Sequence, residues 1–271
     1  MPESKSVLYK GSKIFYEITG NKKPVLVLLH GFAETGGVWI YQTKYLQKFF
    51  TVIIPDLPGY GKSDELNIET SKATIKDYAD SVFAILKNEN IQRCIILGHS
   101  MGGYITLAIA EHHPEILSAF GFIYSTAFAD SEEKKQNRLR GIEMIENYGA
   151  YAFVKNTTPN LFTQKFKDEH ADKIDQLIEQ GKFFSKKGLQ QCYYAMMSRP
   201  NRTEILKNSK IPVLFIAGKQ DNAVSLNDIL KQMHLPEISY IHILSNVGHM
   251  GMWEAADLVN EYVEEFVNGT A

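Results

Sequence analysis

The sequence predicts an α/β fold, with a mostly parallel sheet of eight strands and helices on both faces. Two observations predict it. Short runs rich in Val, Ile and Leu alternate with amphipathic helical stretches over residues 25–126 and again over 207–271. Several of these runs are apolar at nearly every position, which is typical of strands buried on both faces of a parallel sheet. Such an alternation requires helices that cover the sheet.

The strands and helices follow one another in a regular order. Residues 7–9 and 13–18 alternate apolar and polar side chains around Lys10-Gly11-Ser12, which indicates an antiparallel hairpin at a sheet edge. The other predicted strands are 25–29, 51–54, 93–97, 117–124, 212–217 and 239–244. Helical patterns occupy 38–48, 74–88, the stretch after Ser100 that ends before Pro114, 225–233 and 254–267.

The alternation of strands and helices stops between residues 127 and 206. This stretch contains charged helical patterns at 131–147, 165–180 and 186–197, many aromatic residues and no convincing strand. Because the strand pattern resumes directly afterwards, we predict one core formed by 1–126 and 207–271, with 127–206 as a helical lid inserted over the site. An insertion of about 80 residues with no strands of its own favours a lid over a separate domain. An independent helical domain is the alternative.

The central motif is Gly98-His99-Ser100-Met101-Gly102, between a β-branched run and an apolar helical pattern. A serine on such a strand-to-helix turn presents its hydroxyl at the end of the sheet. The N–H of Met101 then lies at a helix N-terminus, where free donors face developing negative charge. The motif resembles the nucleophile elbow of the α/β-hydrolase fold. An ordinary glycine-rich turn is the alternative interpretation.

A serine hydroxyl needs a base, and the base needs an orienting carboxylate. In the fold that the motif resembles, the chain order is Ser, then an acid, then His. Asp221 is the first acid after the strand at 212–217, and His249 follows the strand at 239–244. Of the eight histidines, His249 alone follows both Ser100 and Asp221 on a glycine-flanked loop. The alternatives are a helix N-cap for Asp221 and a structural role for His249.

The second oxyanion donor is expected after the first parallel strand, where His30-Gly31-Phe32 stands. Gly31 permits close approach of the backbone, so the N–H of Phe32 is the candidate donor beside that of Met101. These motifs together span nearly the whole chain and resemble lid-bearing α/β-hydrolases, which include small carboxylesterases, carbon–carbon bond hydrolases and hormone receptors. The resemblance implies Ser100 as nucleophile, and this excludes the aspartate-based dehalogenases and epoxide hydrolases of the same fold.

Composition restricts the partners. A net charge of −2 gives no general attraction to nucleic acid or to an anionic membrane. No apolar run approaches the length of a bilayer span, and the N-terminus has no signal-peptide pattern. Two cysteines, Cys94 and Cys192, are expected as free buried thiols in a reducing compartment, so we expect a cytoplasmic protein. No feature of the sequence predicts the oligomeric state.

We therefore predict a serine hydrolase that cleaves small, largely apolar carboxylic esters through an acyl-enzyme on Ser100, with no metal or organic cofactor. The predicted pocket residues are Phe32, Tyr124, Phe128 and Met250. The sequence has no cluster of basic residues near Ser100, Asp221 or His249, which favours an uncharged substrate. Two alternatives stay open: a hydrolase that cleaves a carbon–carbon bond in an activated diketone, and a slow-turnover ligand receptor that uses a hydrolase pocket.

Overall fold

A computed structural model describes residues 2–270 and contains one eight-stranded sheet. The strands are β1 (Glu3–Tyr9), β2 (Ser12–Thr19), β3 (Val25–Leu29), β4 (Thr51–Pro55), β5 (Cys94–His99), β6 (Leu117–Ile123), β7 (Val213–Gly218) and β8 (Ser239–Leu244). Their spatial order is β1-β2-β4-β3-β5-β6-β7-β8. The first three strands in that order pair antiparallel and all later pairs are parallel. The predicted fold class, including the edge hairpin, is confirmed.

Helices cover both faces of this sheet. They are α1 (Ile40–Leu46), α2 (Ile75–Asn88), α3 (Met101–His112), α4 (Glu132–Tyr148), α5 (Ala150–Thr157), α6 (Gln164–Glu169), α7 (Ala171–Gln180), α8 (Lys186–Ser198), α9 (Thr203–Lys207), α10 (Leu226–Leu230), α11 (Gly251–Glu254) and α12 (Ala256–Thr270). None of the helices within residues 2–270 is both long and apolar enough to cross a membrane.

Strand alternation builds two hydrophobic cores. In β3, Val27 and Leu29 pack into the core shared with α2 and α3, whereas Leu26 and Leu28 pack into the core shared with α1 and α12. Burial on both faces explains why β3 is apolar at every position. Cys94 in β5 and Cys192 in α8 are buried and unpaired, as predicted.

Between β6 and β7 the described chain is helical and contains no strand. The helix predicted at 165–180 is wrong as one element, because His170 leaves the helical conformation at φ −140° and divides it into α6 and α7. The predicted C-terminal helix at 254–267 corresponds to α12, which begins at Ala256, and a break at Ala255 separates it from the short helix α11. Neither break carries a glycine or proline, so the sequence gives no signal for it. Helix α5 was not predicted at all.

Candidate active site

Ser100 occupies a sharp turn between β5 and α3. Its φ is +49°, in the left-handed region that L-residues rarely adopt. A Cβ on Gly102 would lie 2.4 Å from the carbonyl oxygen of Leu29, so only glycine fits there. The Ser100 N–H donates to Ile123 at 3.1 Å, and the Ser100 carbonyl accepts from the Ser125 hydroxyl at 2.6 Å. These bonds hold the strained turn in place.

Asp221 and His249 meet at the carboxyl ends of β7 and β8. The Nδ1 of His249 lies 2.8 Å from Oδ2 of Asp221, and both side chains are almost fully buried. The other carboxylate oxygen, Oδ1, accepts from the N–H groups of Ala223 and Val224 at 2.8 and 2.9 Å. Because both oxygens are engaged, the carboxylate is fixed and holds the imidazole with Nδ1 protonated and Nε2 free to accept a proton.

Burial is the largest influence on the pKa of His249 and acts to lower it. The Asp221 carboxylate opposes this through its charge and its hydrogen bond, with smaller contributions from Glu34 and Glu254. The sum raises the pKa of His249 above its usual value of 6.5. This ring can act as a base only when neutral, that is, above its raised pKa.

Ser100 and His249 line one cavity of about 350 Å³. Within residues 2–270 the Ser100 hydroxyl makes no hydrogen bond. Hydrogen bonds between a serine and its neighbouring histidine are often long without substrate and shorten when substrate binds. The predicted oxyanion residue Phe32 lines the same cavity, and its N–H donates to no acceptor in the described chain. A Cβ on Gly31 would lie 3.2 Å from that of Ser100, so the backbone before Phe32 passes close to the serine. Met101 begins α3, where its N–H has no acceptor in a preceding turn.

Two of the four predicted pocket residues line the cavity and two do not. Phe32 and Met250 line the cavity, whereas Tyr124 and Phe128 do not. Tyr124 is fully buried and is not among the residues that line the cavity; its ring centre lies 6.4 Å from that of His249. Phe128 instead accepts a hydrogen bond through its carbonyl from Nε of Arg199. Tyr124 directly follows β6 and Phe128 lies in the loop after it, where the sequence does not give side-chain direction.

A second buried pair, Glu34 with His99, was missed by sequence reasoning. The Nδ1 of His99 lies 3.0 Å from Oε2 of Glu34, and its Nε2 lies 3.0 Å from the carbonyl of His249. The same Oε2 accepts from the N–H of Gly31 at 2.6 Å. Both ring nitrogens of His99 lie within hydrogen-bond distance of an oxygen, so the ring is held between the Glu34 carboxylate and the His249 carbonyl. The pair joins the Phe32 loop, the serine turn and the histidine loop. The signal available was a histidine directly before Ser100.

Replacing Glu34 with glutamine is expected to lower the free energy of unfolding by about 3 kcal/mol at neutral pH, because it leaves the buried His99 ring without its carboxylate partner. Burial acts to raise the pKa of Glu34, but the charge and hydrogen bond of His99 outweigh it, so this pKa lies below its usual value. The contribution of Glu34 is then present above the usual carboxyl pKa and is lost as pH falls through the folded-state value. Urea unfolding across pH measures this.

The matched control is Glu133→Gln, an exposed carboxylate in the first turn of α4. It should change stability by less than about 0.5 kcal/mol. A Glu34→Gln protein as stable as this control, at neutral pH, would contradict the role assigned to the buried pair.

Basic side chains also line the cavity, which corrects the expectation of none near the triad. Lys134 and Arg138 of α4 both face it, along with Asn137 between them. The charged pattern of residues 131–147 predicts a helix, but a single sequence does not say which helix face meets Ser100. Within residues 2–270, no group of three His, Cys, Asp or Glu side chains is arranged to hold a metal ion.

The class of protein is defined by the eight-stranded sheet together with the turn of Ser100 and the loops of Asp221 and His249. It is a hydrolase with the α/β-hydrolase fold. The model of the α/β-hydrolase fold family matches residues 24–256. The chain belongs to this family.

Relatives cover almost the whole chain. A 2-hydroxy-6-oxononadienedioate/2-hydroxy-6-oxononatrienedioate hydrolase of Paraburkholderia phymatum is 26% identical over 94% of this chain and 91% of its own. A 2-hydroxy-6-oxo-6-phenylhexa-2,4-dienoate hydrolase of Comamonas testosteroni is also 26% identical, over 94% and 91%. Among solved structures, a thermophilic esterase from Thermogutta terrifontis superposes with a TM-score of 0.90 over 100% of this chain and 99% of its own, at 24% identity. At that identity the likeness shows the fold.

Proposed function

We propose that this protein hydrolyses small carboxylic esters through an acyl-enzyme on Ser100. One observation carries the proposal: a strained serine and a carboxylate-oriented histidine line the same cavity. Ser100 attacks the ester carbonyl carbon while His249 takes the hydroxyl proton, and the N–H groups of Phe32 and Met101 hold the oxyanion. His249 then gives the proton to the leaving alcohol. Water, deprotonated by His249, attacks the acyl carbon; the bond from that carbon to Oγ of Ser100 breaks, His249 returns the proton to Oγ, and the acid is released.

We propose the helical segment 127–206 as a lid over this site, with 1–126 and 207–271 as the core. Support comes from the lining of the cavity, to which α4, α5, α7 and α8 contribute side chains together with Ser100. Its aromatic members, Phe153 and Tyr193, pack against Phe32. They provide an apolar surface for the substrate. The two unpaired buried thiols support a cytoplasmic location.

Cleavage of a carbon–carbon bond in an activated diketone is the second candidate. It is favoured by the relatives that are named as hydrolases of hydroxy-oxo-dienoates at 26% identity. The same nucleophile, base and oxyanion donors would serve it, since the attacked group is again a carbonyl. The geometry does not separate the two substrates, whereas turnover does.

The test is turnover of a short-to-medium series of p-nitrophenyl esters. We expect a chain-length optimum, because a cavity of about 350 Å³ excludes long acyl groups. The pH profile of kcat/KM should fall on the acid side with an apparent pKa above 6.5, since protonation of His249 removes the base. Negligible ester turnover by a folded protein, with cleavage of a dienoic diketone, would contradict the ester proposal and establish the second candidate.

A further inference from the structure

Two arginines share one buried carboxylate at the wall of the catalytic cavity. Asp130 accepts from Nε of Arg138 at 2.5 Å and from its Nη2 at 3.2 Å. Nη1 of Arg199 lies 2.8 Å from Oδ1 of the same carboxylate, whose side chain is fully buried. Guanidinium groups stay charged at any physiological pH, so this cluster keeps one net positive charge. A buried net charge lowers the stability of the fold unless a counter-ion neutralises it.

Arg138 is the member of this cluster that faces the reacting group. It lines the cavity together with Ser100, whereas the Arg199 side chain is only 3% exposed. The Arg138 guanidinium lies 5.6 Å from the centre of the Tyr193 ring, and that ring stacks on Phe32 at 4.3 Å between centres. Nη1 of Arg138 donates to no acceptor within residues 2–270. It therefore retains hydrogen-bond donors for a ligand.

Lys134 adds a second positive charge to the same wall. It precedes Arg138 by four residues on α4, which places both on one helix face, and it also lines the cavity. Its ammonium group forms no ion pair in the described part of the chain. Glu34 is the acidic side chain among the lining residues, and its charge is already paired with His99. The cavity wall therefore carries uncompensated positive charge.

We infer that Arg138, assisted by Lys134, binds a carboxylate of the substrate, so that the preferred substrates carry a carboxylate besides the bond that is cleaved. The inference rests on the proposed serine hydrolase function and narrows its substrate class. A guanidinium with free N–H groups binds carboxylates through charge-assisted hydrogen bonds. The aromatic rings of Phe32 and Tyr193, between this charge and the serine turn, suit an apolar segment between the carboxylate and the scissile bond.

The test compares two matched substrate pairs. Mono-p-nitrophenyl adipate and p-nitrophenyl hexanoate differ by a carboxylate on the acyl side, and 4-acetoxybenzoate and phenyl acetate differ by one on the leaving-group side. We expect a higher kcat/KM for the charged member of at least one pair. Lys134→Met and Arg138→Lys should each lower that value about tenfold, since each loses charged hydrogen bonds, and should leave the neutral partner within about twofold.

Two features of the chain keep the test decisive. Arg138→Lys retains a positive charge beside Asp130, so the buried carboxylate keeps two cationic neighbours. Lys134 forms no ion pair within residues 2–270, so its replacement breaks none. Lys135→Met is the matched control, because Lys135 pairs with Glu132 in the first turn of α4 and does not line the cavity. It should change neither member of a pair.

The outcomes separate this inference from the proposed function. Equal rates for charged and neutral esters, or equal losses for both in the variants, would overturn the carboxylate site and leave the hydrolase proposal standing. If no ester is cleaved, millimolar adipate is tested for protection of Ser100 against a fluorophosphonate. Protection that Arg138→Lys removes supports the site, and no protection refutes it.

Discussion

Ser100→Ala is expected to lower kcat for the best p-nitrophenyl ester by about 10⁶-fold, the largest effect of any single substitution in this chain. Without the hydroxyl no acyl-enzyme forms, and the remaining N–H donors can only assist direct attack by water. Ala is a small replacement, and the turn is held through the Ser100 backbone, whose N–H donates to the Ile123 carbonyl and whose carbonyl accepts from the Ser125 hydroxyl, so the fold should persist. Turnover and thermal unfolding of the variant measure both points.

The matched control for this substitution is Ser118→Ala. Ser118 lies on β6, and its hydroxyl donates to the carbonyl of Cys94 at 3.2 Å, away from the cavity. It should keep wild-type kcat. A Ser100→Ala protein that retains more than about one hundredth of wild-type kcat would remove Ser100 from the mechanism.

Asp221→Asn is expected to lower kcat by about 10⁴-fold. The two N–H groups of Ala223 and Val224 will hold the amide oxygen where Oδ1 now lies, so the amide NH₂ will face Nδ1 of His249. The imidazole must then accept at Nδ1 and carry its proton on Nε2, where it cannot deprotonate Ser100. The arrangement of donors around Asp221 thus makes this substitution more damaging than loss of charge alone.

The pH profile of the Asp221→Asn protein gives an independent readout. The carboxylate opposes the effect of burial and raises the pKa of His249, so its removal lowers that pKa. The acid limb of kcat/KM, which in the native protein falls as pH drops through the raised value, should move to lower pH. Asp228→Asn on α10, which lies outside the hydrogen-bonded pair, is the control and should keep both rate and profile. An unchanged acid limb in Asp221→Asn would contradict the orienting role.

The central parallel strands were predictable because they are short and apolar and are bounded by turn residues. β3 is apolar at every position since both faces are buried, and its observed bounds are those predicted. Ser100, Asp221 and His249 were selected by chain order and by their place after a strand. The structure joins Asp221 to His249 by a hydrogen bond and places Ser100 and His249 around one cavity.

What the sequence could not predict depends on side-chain direction and on long-range packing. Helix α4 was expected, but not the face that turns Arg138 toward Ser100. The Glu34–His99 pair joins residues 65 positions apart, and although His99 stands in the serine motif, nothing in the sequence marks Glu34 as its partner. Helix breaks at His170 and Ala255 occur without glycine or proline, so local propensity gave no warning.

The most direct measurement of the central claim is to react the protein with a fluorophosphonate and map the adduct by peptide mass spectrometry while ester turnover is followed. We predict one phosphonyl group per chain, on Ser100, with turnover lost in proportion to labelling. Asp221→Asn should label far more slowly, because His249 no longer deprotonates the serine. Turnover that persists when Ser100 is fully labelled would contradict the account.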